Sequence, residues 1–599
     1  MTKKIYMCDF ETTTDPEDCR VWAACAVELE TGRVVHLSNS IDKFMEWVQS
    51  EKGARLYFHN LRFDGEFILS WLFNHGYQHV GNELKAIPDK SFQTLISDMG
   101  QFYKLSIMFE RRKKKGHVRV EIYDSLKKIP FKAAKIAKDY GLEQSKGEID
   151  YTMFRPIDYE LTPEEIEYIT TDCQIVQQAL QAQFAEGMLK MTSASDALSY
   201  YKEIMGRSFE YWFPVLPKIL DDDIRKAYKG GFTWCNPRYA GKEIGAGIVL
   251  DVNSLYPWAM YHCMLPYGYP VYFEGPYTPD PMYPLYIVRV RCSFQVKDKH
   301  IPMIQIKKGI FQETEYLTAS EVKIEGRMER IEVELTLTSV DLELFLNHYD
   351  VENLQFISGF KFKGQVGMFK DYIDKWMEVK ATSPKNSAQR AISKLYLNSL
   401  YGKFASSTER LPKTPYLAPD GIVRYYTYHE PLRDKAGQLQ FDEKGRLLFQ
   451  KDENNVPVER EPEEVDPVYT PVGAFITAWA RHKTITAAQA CYDRFIYADT
   501  DSLHLTGTEL PEGLTIHPNA LGAWDHETTF TKAKYLRAKT YIETVDGKIK
   551  VTCAGMPENV KELVNYDNFH PGSSFPGKLL PHRVKGGVVL LPVDFTIKL

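Results

Sequence analysis

The chain has 599 residues and a formal net charge of −6, and 44% of its residues are hydrophobic. A chain of this length exceeds what one hydrophobic core normally serves, so several domains are expected. The composition is globular, which excludes a largely disordered chain. No apolar run approaches the roughly 20 residues of a membrane helix, and the N-terminus lacks the apolar segment of a signal peptide. Neither kind of segment is therefore expected.

Nine cysteines are scattered along the chain without a Cys-x-x-Cys pair. This distribution argues against a structural zinc site and is typical of reduced thiols in a cytoplasm. The negative charge does not indicate a nucleic-acid binder, although catalytic carboxylates and an acidic outer surface can conceal a basic channel in the total. No internal repeat and no Walker-type phosphate loop is apparent. Composition alone leaves the function open.

The first ~190 residues alternate strand-like and helical patterns, which predicts an α/β domain. Strands are predicted at 5–10, 54–58, 102–109 and 117–123, the last two as a hairpin around the basic run 111–115. Thr162-Pro-Glu-Glu165 is typical of a helix start, with Thr as the cap and acids near the positive end of the helix. The helix that begins there carries Tyr168 and Asp172.

The second half of the chain is less uniform. Residues 368–405 are predicted to form two helices joined at 382–386. Residues 406–467 are rich in proline, glycine and charge, with short β-like pieces. This pattern favours an extended hairpin that projects from the body, and a disordered linker is the alternative.

Asp499-Thr-Asp501 follows an apolar, β-prone run near residue 495. Because side chains alternate along a strand, both carboxylates are expected on one face, where they repel each other unless a cation lies between them. The triplet thus suggests a divalent-metal site at a β-hairpin, and a plain polar turn is the alternative. Asp251, which also ends an apolar run, strengthens the metal interpretation.

A second group of acids lies in the N-terminal region. Asp9 and Glu11 alternate on a strand, Asp64 follows, and Tyr168 and Asp172 are four residues apart on one helix face. Four acids and a tyrosine on an α/β scaffold can hold two divalent ions for phosphodiester hydrolysis. Oxygen ligands without Cys or His favour magnesium or manganese. Taken singly, each piece is typical of a turn or a surface position.

With Asp251 and Asp501 as ligands, two ions would lower the pKa of a primer hydroxyl and hold a triphosphate. Asp499 is expected beside them as a second ligand or an electrostatic support. Tyr256, five residues after Asp251, is expected under the incoming sugar, where it would exclude a 2′-hydroxyl. The alternative for Tyr256 is a packing aromatic.

A helical stripe of polar residues supplies the cationic partner. Arg390, Lys394, Asn398 and Tyr401 follow helical spacing, so Arg390 and Lys394 are expected to grip phosphates while the other two face base and sugar. A solvated helix face is the alternative interpretation.

Two short segments also fit nucleic acid. The glycines of Tyr228-Lys-Gly230-Gly231 let backbone amides approach a phosphate closely. Lys539 and Tyr541 offer a charge and an aromatic ring that can hold a primer terminus. Each tripeptide is common by itself.

The motifs together carry a family resemblance. Three motifs resemble those of the proofreading 3′–5′ exonuclease domain of replicative DNA polymerases. They are Asp-x-Glu at 9, Asn-x-x-x-Asp at 60 and Tyr-x-x-x-Asp at 168. Four further segments resemble motifs of family B DNA polymerases. They are Asp-Val-Asn-Ser-Leu-Tyr-Pro at 251, Lys-Leu-Tyr-Leu-Asn-Ser-Leu-Tyr-Gly at 394, Tyr-Ala-Asp-Thr-Asp-Ser at 497 and Lys-Thr-Tyr at 539. The likeness spans nearly the whole chain and is greatest to the protein-primed branch.

The resemblance implies roles for individual residues. Asp9, Glu11, Asp64 and Asp172 would be metal ligands in the exonuclease, and Asp251 and Asp501 in the polymerase, with two Mg²⁺ (or Mn²⁺) ions in each site. Tyr168 would orient the attacking water, and Lys146 would assist it. The residues expected to hold the frayed single strand are Thr12, His59, Asn60, Phe63, Phe67, Ser125 and Leu126. Those expected to bind the nucleotide are Ser254, Tyr256, Lys380, Arg390, Lys394, Asn398 and Tyr401.

The implied architecture is a multidomain α/β and α+β protein, with a ribonuclease-H-like exonuclease domain and a right-hand polymerase domain that carries two insertions. The implied bounds are 1–190 exonuclease, 191–262 and 468–555 palm, 263–367 first insertion, 368–405 fingers, 406–467 second insertion and 556–599 thumb. The first insertion would contact a terminal protein, and the second would close a ring around DNA. The second insertion departs from the family pattern because it looks longer and more acidic.

The implied function is replicative, DNA-directed DNA synthesis with proofreading in a linear-genome phage, in the cytoplasm of the infected bacterium. The implied enzyme is processive, strand-displacing and otherwise monomeric. Its implied partners are template and primer DNA, dNTPs, a terminal protein bound as a heterodimer and a phage single-stranded-DNA-binding protein. A polymerase-exonuclease that extends only nucleic-acid primers is the alternative. A stand-alone nuclease or a DNA-packaging protein fits less well, because both carboxylate sets are complete.

Overall fold

The protein is described from a computed structural model, and the description covers residues 4–84, 86–110, 118–142, 149–306 and 316–598. Lys146 and the predicted hairpin tip at 111–115 lie outside the described residues. Within these ranges no helix combines the length and apolarity that crossing a membrane requires.

The N-terminal domain is built on one sheet with helices on both faces. Its strands are β1 (Ile5–Thr12), β2 (Val21–Glu28), β3 (Val34–Ser38), β4 (Arg55–Phe58), β5 (Gln78–His79), β6 (Ser91–Ile96), β7 (Phe102–Phe109) and β8 (Val118–Asp124). Its helices are α1 (Ile41–Ser50), α2 (Leu61–Asn74), α3 (Ala133–Tyr140) and α4 (Pro163–Ala185). The strand order is β3-β2-β1-β4-β8-β7-β6-β5, with β1, β4 and β8 parallel to one another.

The predicted strands and the helix start of this domain are confirmed. Thr162 caps α4, and its side chain and that of Glu165 satisfy each other's backbone N–H groups in a capping box. Helices α1 and α2 pack on one face of the sheet and α3 and α4 on the other. Strand β1 therefore lies between two layers of helices, and α2 and α4 of these layers carry predicted site residues.

The segment that follows leads from this domain into a second sheet. It contains α5 (Ser193–Met205), α6 (Ser208–Trp212), α7 (Lys218–Arg225), β9 (Thr233–Cys235), β10 (Glu243–Ile244), β11 (Gly247–Val252) and α8 (Leu255–His262). The next segment contains a sheet of its own. Its elements in chain order are β12 (Met264–Glu274), β13 (Leu285–Val296), β14 (Glu321–Ile324), β15 (Arg327–Arg330), β16 (Val333–Thr338), α9 (Ser339–His348) and β17 (Tyr349–Val366). That sheet has the order β12-β17-β13-β16, with β14 and β15 as a separate hairpin.

The predicted helical pair is confirmed as α10 (Lys370–Thr382) and α11 (Ala388–Ser399), followed by the single turn α12 (Tyr401–Phe404). After it come the short strands β18 (Glu409–Arg410), β19 (Thr414–Leu417), β20 (Val423–Tyr426) and β21 (Glu463–Glu464). The remainder is α13 (Thr470–Ala490), β22 (Phe495–Asp499), β23 (Ser502–Thr506), β24 (Trp524–Phe530), β25 (Lys532–Arg537), β26 (Thr540–Val545), β27 (Lys548–Cys553), α14 (Glu558–Lys561), β28 (Ser574–Val584) and β29 (Gly587–Thr596).

The central sheet gathers strands that are far apart in sequence. Its order is β24-β11-β23-β22-β9, and a neighbouring sheet has the order β10-β25-β26-β27. Helix α13 packs against α8, α7 and the first insertion's helix α9. The C-terminal strands β28 and β29 form a long antiparallel hairpin.

Residues 406–467, predicted as the second insertion and as an extended hairpin, are paired at their ends by β18–β21 and contain smaller hairpins between them. Beyond the hairpin β19–β20, three short hairpins follow one another, closed by the bridges 433–439, 441–447 and 451–457. Backbone N–H groups link Leu432 to Leu448, Leu448 to Gln440 and Gln440 to Leu432, a closed ring of three hydrogen bonds of 2.8–3.0 Å. Three strands are thus joined around one local axis.

These three hairpins are an internal repeat that the sequence analysis missed. Each turn begins with an aspartate, at 434, 442 and 452, whose Oδ1 accepts the backbone N–H groups of the second and fourth residues after it. The third residue after each aspartate has positive φ, and is Gly437, Gly445 or Asn455. The repeat is short and unequal in spacing, which hides it from a search for regular periods.

Candidate active sites

Three of the four predicted exonuclease acids meet on one side of the N-terminal sheet. Asp9, Glu11 and Asp172 each offer one carboxylate oxygen, and these oxygens lie within 4.8 Å of one another. Asp9 and Glu11 reach the same face because they alternate along β1. Helix α4 lies on that face and supplies Asp172. The predicted sharing of one face is confirmed for this cluster.

Asp64 lies in the first turn of α2 and is 3% exposed. Burial raises the pKa of its carboxyl group well above the usual value, and the nearby charges of Asp9 and Glu11 raise it further. A cation at this position would offset both effects. Because every donor in the group is a carboxylate oxygen, the residues fit hard divalent ions such as Mg²⁺ or Mn²⁺.

Two tyrosines border this carboxylate group. The Tyr151 hydroxyl donates a hydrogen bond to Glu11 Oε2 at 2.9 Å and lies 3.2 Å from the Tyr168 hydroxyl. Sequence reasoning selected Tyr168 and missed Tyr151. The signal was present, since Tyr151 ends the segment Ser145-Lys-Gly-Glu-Ile-Asp-Tyr151 from which Lys146 was selected.

Several residues predicted to hold a single strand lie beside this site. His59 Nδ1 is 2.9 Å from Ser125 Oγ, and its Nε2 is 2.7 Å from the carbonyl oxygen of Phe131. The missed residue Asp124 organises this corner, because its Oδ1 accepts the backbone N–H groups of Asn60 and Leu126 at 3.0 Å each. Asn60 has positive φ, which turns the chain from β4 into α2.

The two phenylalanines of α2 differ in exposure. Phe63 is half-buried and its ring lies 5.7 Å from that of Phe67. Phe67 is 1% exposed and packs in the core of the domain, so it supports Phe63 and offers no free face for an unpaired base. Thr12, at the end of β1, is also buried.

The second carboxylate site lies at the end of the central sheet. Asp251 is on β11, and Asp501 is in the turn between β22 and β23. The backbone N–H of Val252 donates to the Asp501 carbonyl oxygen at 2.8 Å, which fixes the turn against β11. The expectation that Asp499 and Asp501 share one face of a strand is therefore wrong. Thr500 has positive φ, so the strand ends at Asp499 and Asp501 lies in the turn.

Burial and mutual repulsion define the electrostatics of this pair. The pKa of Asp251 is raised to about 7, first by burial and then by the charges of Asp501, Glu527 and Asp525. Burial likewise raises the pKa of Asp501. The acidic pair on β24 was missed in the sequence, where Asp525-His-Glu527 reads as an ordinary exposed strand. The strand pairs directly with β11, with Asp525 opposite Asp251.

Asp499 is held by protein groups. Lys539 Nζ lies 2.6 and 2.8 Å from its two carboxylate oxygens, and the hydroxyls of Thr233 and Tyr497 donate to it at 2.9 and 3.2 Å. This arrangement brings the predicted residue Lys539 to the site. It also assigns Asp499 a supporting position beside Asp501.

Tyr256 and Tyr401 stack, with ring centroids 3.9 Å apart and planes 19° from parallel. They come from α8 and α12, so they bring the Asp251 motif to the end of the helical stripe. Ser254 caps α8 with positive φ and accepts a hydrogen bond from Lys380 Nζ at 3.3 Å. Burial and the charges of Arg390 and Lys394 lower the pKa of Lys380.

Three residues of the predicted stripe, Arg390, Lys394 and Asn398, lie on α11, and the fourth, Tyr401, begins α12. Arg390 is half-buried and donates to the Lys380 carbonyl oxygen, while Lys394 and Asn398 are exposed. Lys380 of α10 therefore lies near the cations Arg390 and Lys394 of α11. Such a cluster is suited to a triphosphate.

The predicted loop Tyr228–Gly231 is fixed by a buried arginine. Arg481 on α13 donates to the carbonyl oxygens of Lys229 and Gly230 at 2.7 and 2.8 Å. Arg481 also forms a bidentate ion pair with Asp341 on α9. A Cβ on Gly231 would lie 2.6 Å from Thr500 Oγ1, so only glycine lets the loop reach the Asp499–Asp501 turn.

Behind the turn lies a buried network of rings. His504 Nδ1 is 2.9 Å from Glu543 Oε1, and the Tyr535 hydroxyl donates to the same oxygen at 2.5 Å. Tyr541, predicted to contact DNA, stacks on Tyr535 with ring centroids 4.9 Å apart. Its ring centroid lies 5.3 Å from that of Tyr497. Tyr541 is half-buried, so much of its ring serves to support the hairpin β22–β23.

The chain also resembles known proteins. The family model described as DNA polymerase type B, organellar and viral, matches residues 48–437. The DNA polymerase of Bacillus phage Nf is 48% identical over 620 aligned positions that cover all of both chains. A structure of phi29 DNA polymerase with primer-template DNA and incoming nucleotide substrates is 46% identical, with a TM-score of 0.87 over all of both chains. A complex of that polymerase with single-stranded DNA gives a TM-score of 0.86 at 45% identity.

The chain therefore belongs to the type B DNA polymerases of organelles and viruses. Its full-length similarity to the phage enzymes places it among the phi29-type phage polymerases. The protein is a DNA polymerase, and the predicted family is confirmed.

Proposed function

We propose that this polymerase replicates a linear phage genome, using Asp251 and Asp501 for nucleotide addition and the Asp9 cluster for 3′–5′ proofreading. The observation that carries the proposal is the presence of two separate carboxylate sites in one chain. Each is oxygen-only, and each is bordered by groups suited to nucleic acid. The relatives' structures hold primer-template DNA with nucleotides and single-stranded DNA, which supports one role for each site.

In nucleotide addition, Asp251 and Asp501 would hold two Mg²⁺ ions, for which Mn²⁺ can substitute. Such ions lower the pKa of the primer hydroxyl and neutralise the triphosphate. Lys380, Arg390 and Lys394 then bind the phosphates, and the Tyr256–Tyr401 stack lies beneath the sugar. Asn398 and Ser254 complete the nucleotide site, while Lys539 and the Tyr228–Gly231 loop position the primer end.

In proofreading, Asp9, Glu11, Asp64 and Asp172 would hold the corresponding ions. Tyr168, supported by Tyr151, orients the water that attacks the terminal phosphodiester. The corner formed by His59, Asn60, Ser125 and Leu126, together with Phe63, receives the unpaired primer end. Lys146 is proposed to assist from the adjoining segment.

The proposed division of labour among domains follows the bounds predicted from the sequence. Residues 1–190 act as exonuclease, 191–262 and 468–555 as palm, 263–367 as the terminal-protein contact, 368–405 as fingers, 406–467 as the processivity element and 556–599 as thumb. We propose that the enzyme works in the cytoplasm of an infected bacterium, with a terminal protein as primer and a phage single-stranded-DNA-binding protein. Residues 406–467 would give processive, strand-displacing synthesis.

The two chemical assignments are separated by two variants. Asp501→Ala should abolish primer extension and leave digestion of a single-stranded oligonucleotide unchanged. Asp9→Ala combined with Asp64→Ala should do the reverse. Asp493→Ala, which removes an exposed carboxylate near the same hairpin, is the matched control and should alter neither activity. Normal extension by Asp501→Ala would refute the polymerase assignment, and normal digestion by the double variant would refute the nuclease assignment.

Protein priming is tested apart from the chemistry. Labelled dATP, Mg²⁺ and the co-expressed product of a neighbouring gene encoding a small basic protein should yield a covalent nucleotide–protein adduct. Extension of DNA primers without any adduct would favour an enzyme that uses nucleic-acid primers alone.

A further inference from the structure

A buried arginine lies four residues after Tyr151, in the segment between α3 and α4. The side chain of Arg155 is 3% exposed. Its Nε donates a hydrogen bond to Glu165 Oε1 at 2.9 Å. Its Nη1 donates to the Met153 carbonyl oxygen at 3.2 Å, and its Nη2 donates to the Asp150 carbonyl oxygen at 3.0 Å. These two carbonyl groups belong to residues on either side of Tyr151, so one guanidinium closes the loop that carries the tyrosine.

The sheet holds this arginine from another side. The central carbon of the Arg155 guanidinium lies 3.9 Å from the centre of the Trp22 ring on β2. A cation is attracted to the face of an indole ring, and most strongly where water is excluded. The backbone is tied as well, because the Arg155 carbonyl oxygen accepts a hydrogen bond from Arg20, which directly precedes β2. Side chain and backbone of Arg155 are therefore both fixed to the N-terminal sheet.

The carboxylate that pairs with Arg155 also caps α4. Glu165 Oε2 accepts the backbone N–H of Thr162 at 3.0 Å, while Oε1 accepts from Arg155. Tyr168 follows Glu165 by three residues, so the two lie on the same side of the helix. Arg155 thus joins the loop that carries Tyr151 to the helix that carries Tyr168.

The Tyr151 hydroxyl reaches the proposed exonuclease site from this loop. It donates to Glu11 Oε2 at 2.9 Å and lies 3.2 Å from the Tyr168 hydroxyl. Tyr151 is 40% exposed, so packing covers only part of the residue. Its carbonyl oxygen accepts a long hydrogen bond of 3.5 Å from Thr14 Oγ1. The bonds from Arg155 to the neighbouring carbonyl groups are shorter and come from a buried side chain, so they fix the loop more firmly.

We propose that Arg155 is a positioning residue of the exonuclease, which holds the Tyr151 hydroxyl in place beside Glu11. The proposal rests on the proposed proofreading function and deepens it, because it names the group that fixes one side of that site. Arg155 acts through Tyr151, since its own contacts are with the loop backbone, Glu165 and the sheet. A displacement of about 1 Å at a reacting centre can slow a reaction by about 100-fold. Loss of the guanidinium should therefore slow hydrolysis more than it weakens DNA binding.

Single-turnover digestion of a single-stranded oligonucleotide with Mg²⁺ measures this effect. Arg155→Met should lower the rate at saturating enzyme between roughly tenfold and 100-fold. The dissociation constant of the oligonucleotide, measured by fluorescence anisotropy without divalent ions, should change by less than about twofold, because the displaced group acts on the reaction step. Arg33→Met removes an exposed arginine of the same domain, and this matched control should alter neither quantity.

A double-variant cycle separates positioning from a general loss of structure. Tyr151→Phe removes the hydroxyl and should itself slow digestion. Addition of Arg155→Met to Tyr151→Phe should lower the rate by no more than about a further twofold, because both changes act on the same group. A general loss of structure would instead multiply the two effects.

The buried ion pair needs its own control, because Arg155→Met leaves Glu165 buried without its cation. Glu165→Gln removes the negative charge, and glutamine at this position can still cap Thr162. Glu165→Gln alone keeps the arginine bonds to the loop carbonyl oxygens, so it should digest at close to the wild-type rate. Arg155→Met combined with Glu165→Gln leaves no buried charge and should be as slow as Arg155→Met. Addition of a single nucleotide to a primer should be unchanged in every variant.

Unchanged digestion by Arg155→Met would overturn the proposal, and so would effects that multiply in the Tyr151→Phe background. Equal losses in Glu165→Gln and Arg155→Met would overturn it as well, because the ion pair alone would then be responsible. Failure of the proposed proofreading function is distinct, since the wild-type enzyme would then not digest a single strand at all.

Discussion

At the scale of single residues, the proposed metal ligand Asp251 should link protonation to metal binding. Its pKa is raised to about 7 by burial and by Asp501, and a metal ion binds only the deprotonated carboxylate. Below pH 7 a proton competes with the ion, and above pH 7 it does not. Magnesium affinity at the polymerase site should therefore fall up to about tenfold for each pH unit below 7.

Calorimetric titration of Mg²⁺ at pH 6 and pH 8 measures this effect. The exonuclease carboxylates contribute their own binding, so the titration uses the Asp9→Ala and Asp64→Ala background. Replacement of Asp251 by Asn should remove the pH dependence together with most of the binding. Equal affinities at both pH values would contradict the link.

Tyr256 allows a test of sugar selection. Its ring is stacked on Tyr401 and half-buried, so truncation opens space without exposing a buried charge. Tyr256→Val should increase the ratio of ribonucleotide to deoxyribonucleotide incorporation by roughly tenfold or more, the range that one steric contact supplies. Tyr256→Phe keeps the ring and should leave the ratio near that of the wild type. Steady-state incorporation opposite a single template base measures both ratios, and an unchanged ratio in Tyr256→Val would leave this residue as packing.

At the scale of elements, the three hairpins of the second insertion depend on their aspartates. Asp442 Oδ1 satisfies two backbone N–H groups, and Oδ2 accepts from Arg446 Nε at 2.7 Å. Asp442→Ala leaves those groups to water and should lower the local free energy of opening by about 1 kcal/mol. Because the ring of backbone hydrogen bonds through Leu432, Gln440 and Leu448 joins the hairpins, all three should open more easily.

Hydrogen exchange at residues 430–458 measures that change. Glu443→Ala removes a neighbouring exposed carboxylate and should leave the exchange rates unaltered. Faster exchange confined to the 442 turn would show that the hairpins are independent of one another. Tyr425 lies outside the repeat, and its backbone amide should keep its protection.

At the scale of the whole molecule, Arg481 connects parts that are distant in sequence. It pairs with Asp341 of the first insertion while binding the carbonyl oxygens of the loop before β9. Arg481→Met keeps the side-chain volume but leaves Asp341 buried and unpaired. The free energy of unfolding should fall by about 3 kcal/mol.

Denaturant unfolding measures the loss, and Asp341→Leu combined with Arg481→Met should recover part of it, because no charge remains buried. The variant Arg481→Met should also weaken primer binding, since the loop that carries Gly231 is no longer held. Unchanged stability and unchanged primer affinity together would contradict the coupling role.

The sequence predicted much of the local structure and the class of enzyme. Capping at Thr162, the alternation of Asp9 and Glu11 and the helical spacing of Arg390 to Asn398 are set by short-range geometry, and each was confirmed. Family motifs gave the class of enzyme, which the full-length similarity confirms. Features that depend on short-range geometry could therefore be predicted from the sequence.

Only the tertiary structure decided how distant residues meet. Asp499 and Asp501 differ in surroundings: a positive φ at Thr500 interrupts the strand between them, Lys539 pairs with Asp499, and the charge of Asp501 raises the pKa of Asp251. Glu66, an unremarkable helix residue in the sequence, is buried, and its carboxylate accepts hydrogen bonds from Tyr425 and Arg583, hundreds of residues later in the chain. Burial and electrostatic pairing depend on the whole chain, and the sequence alone reports neither.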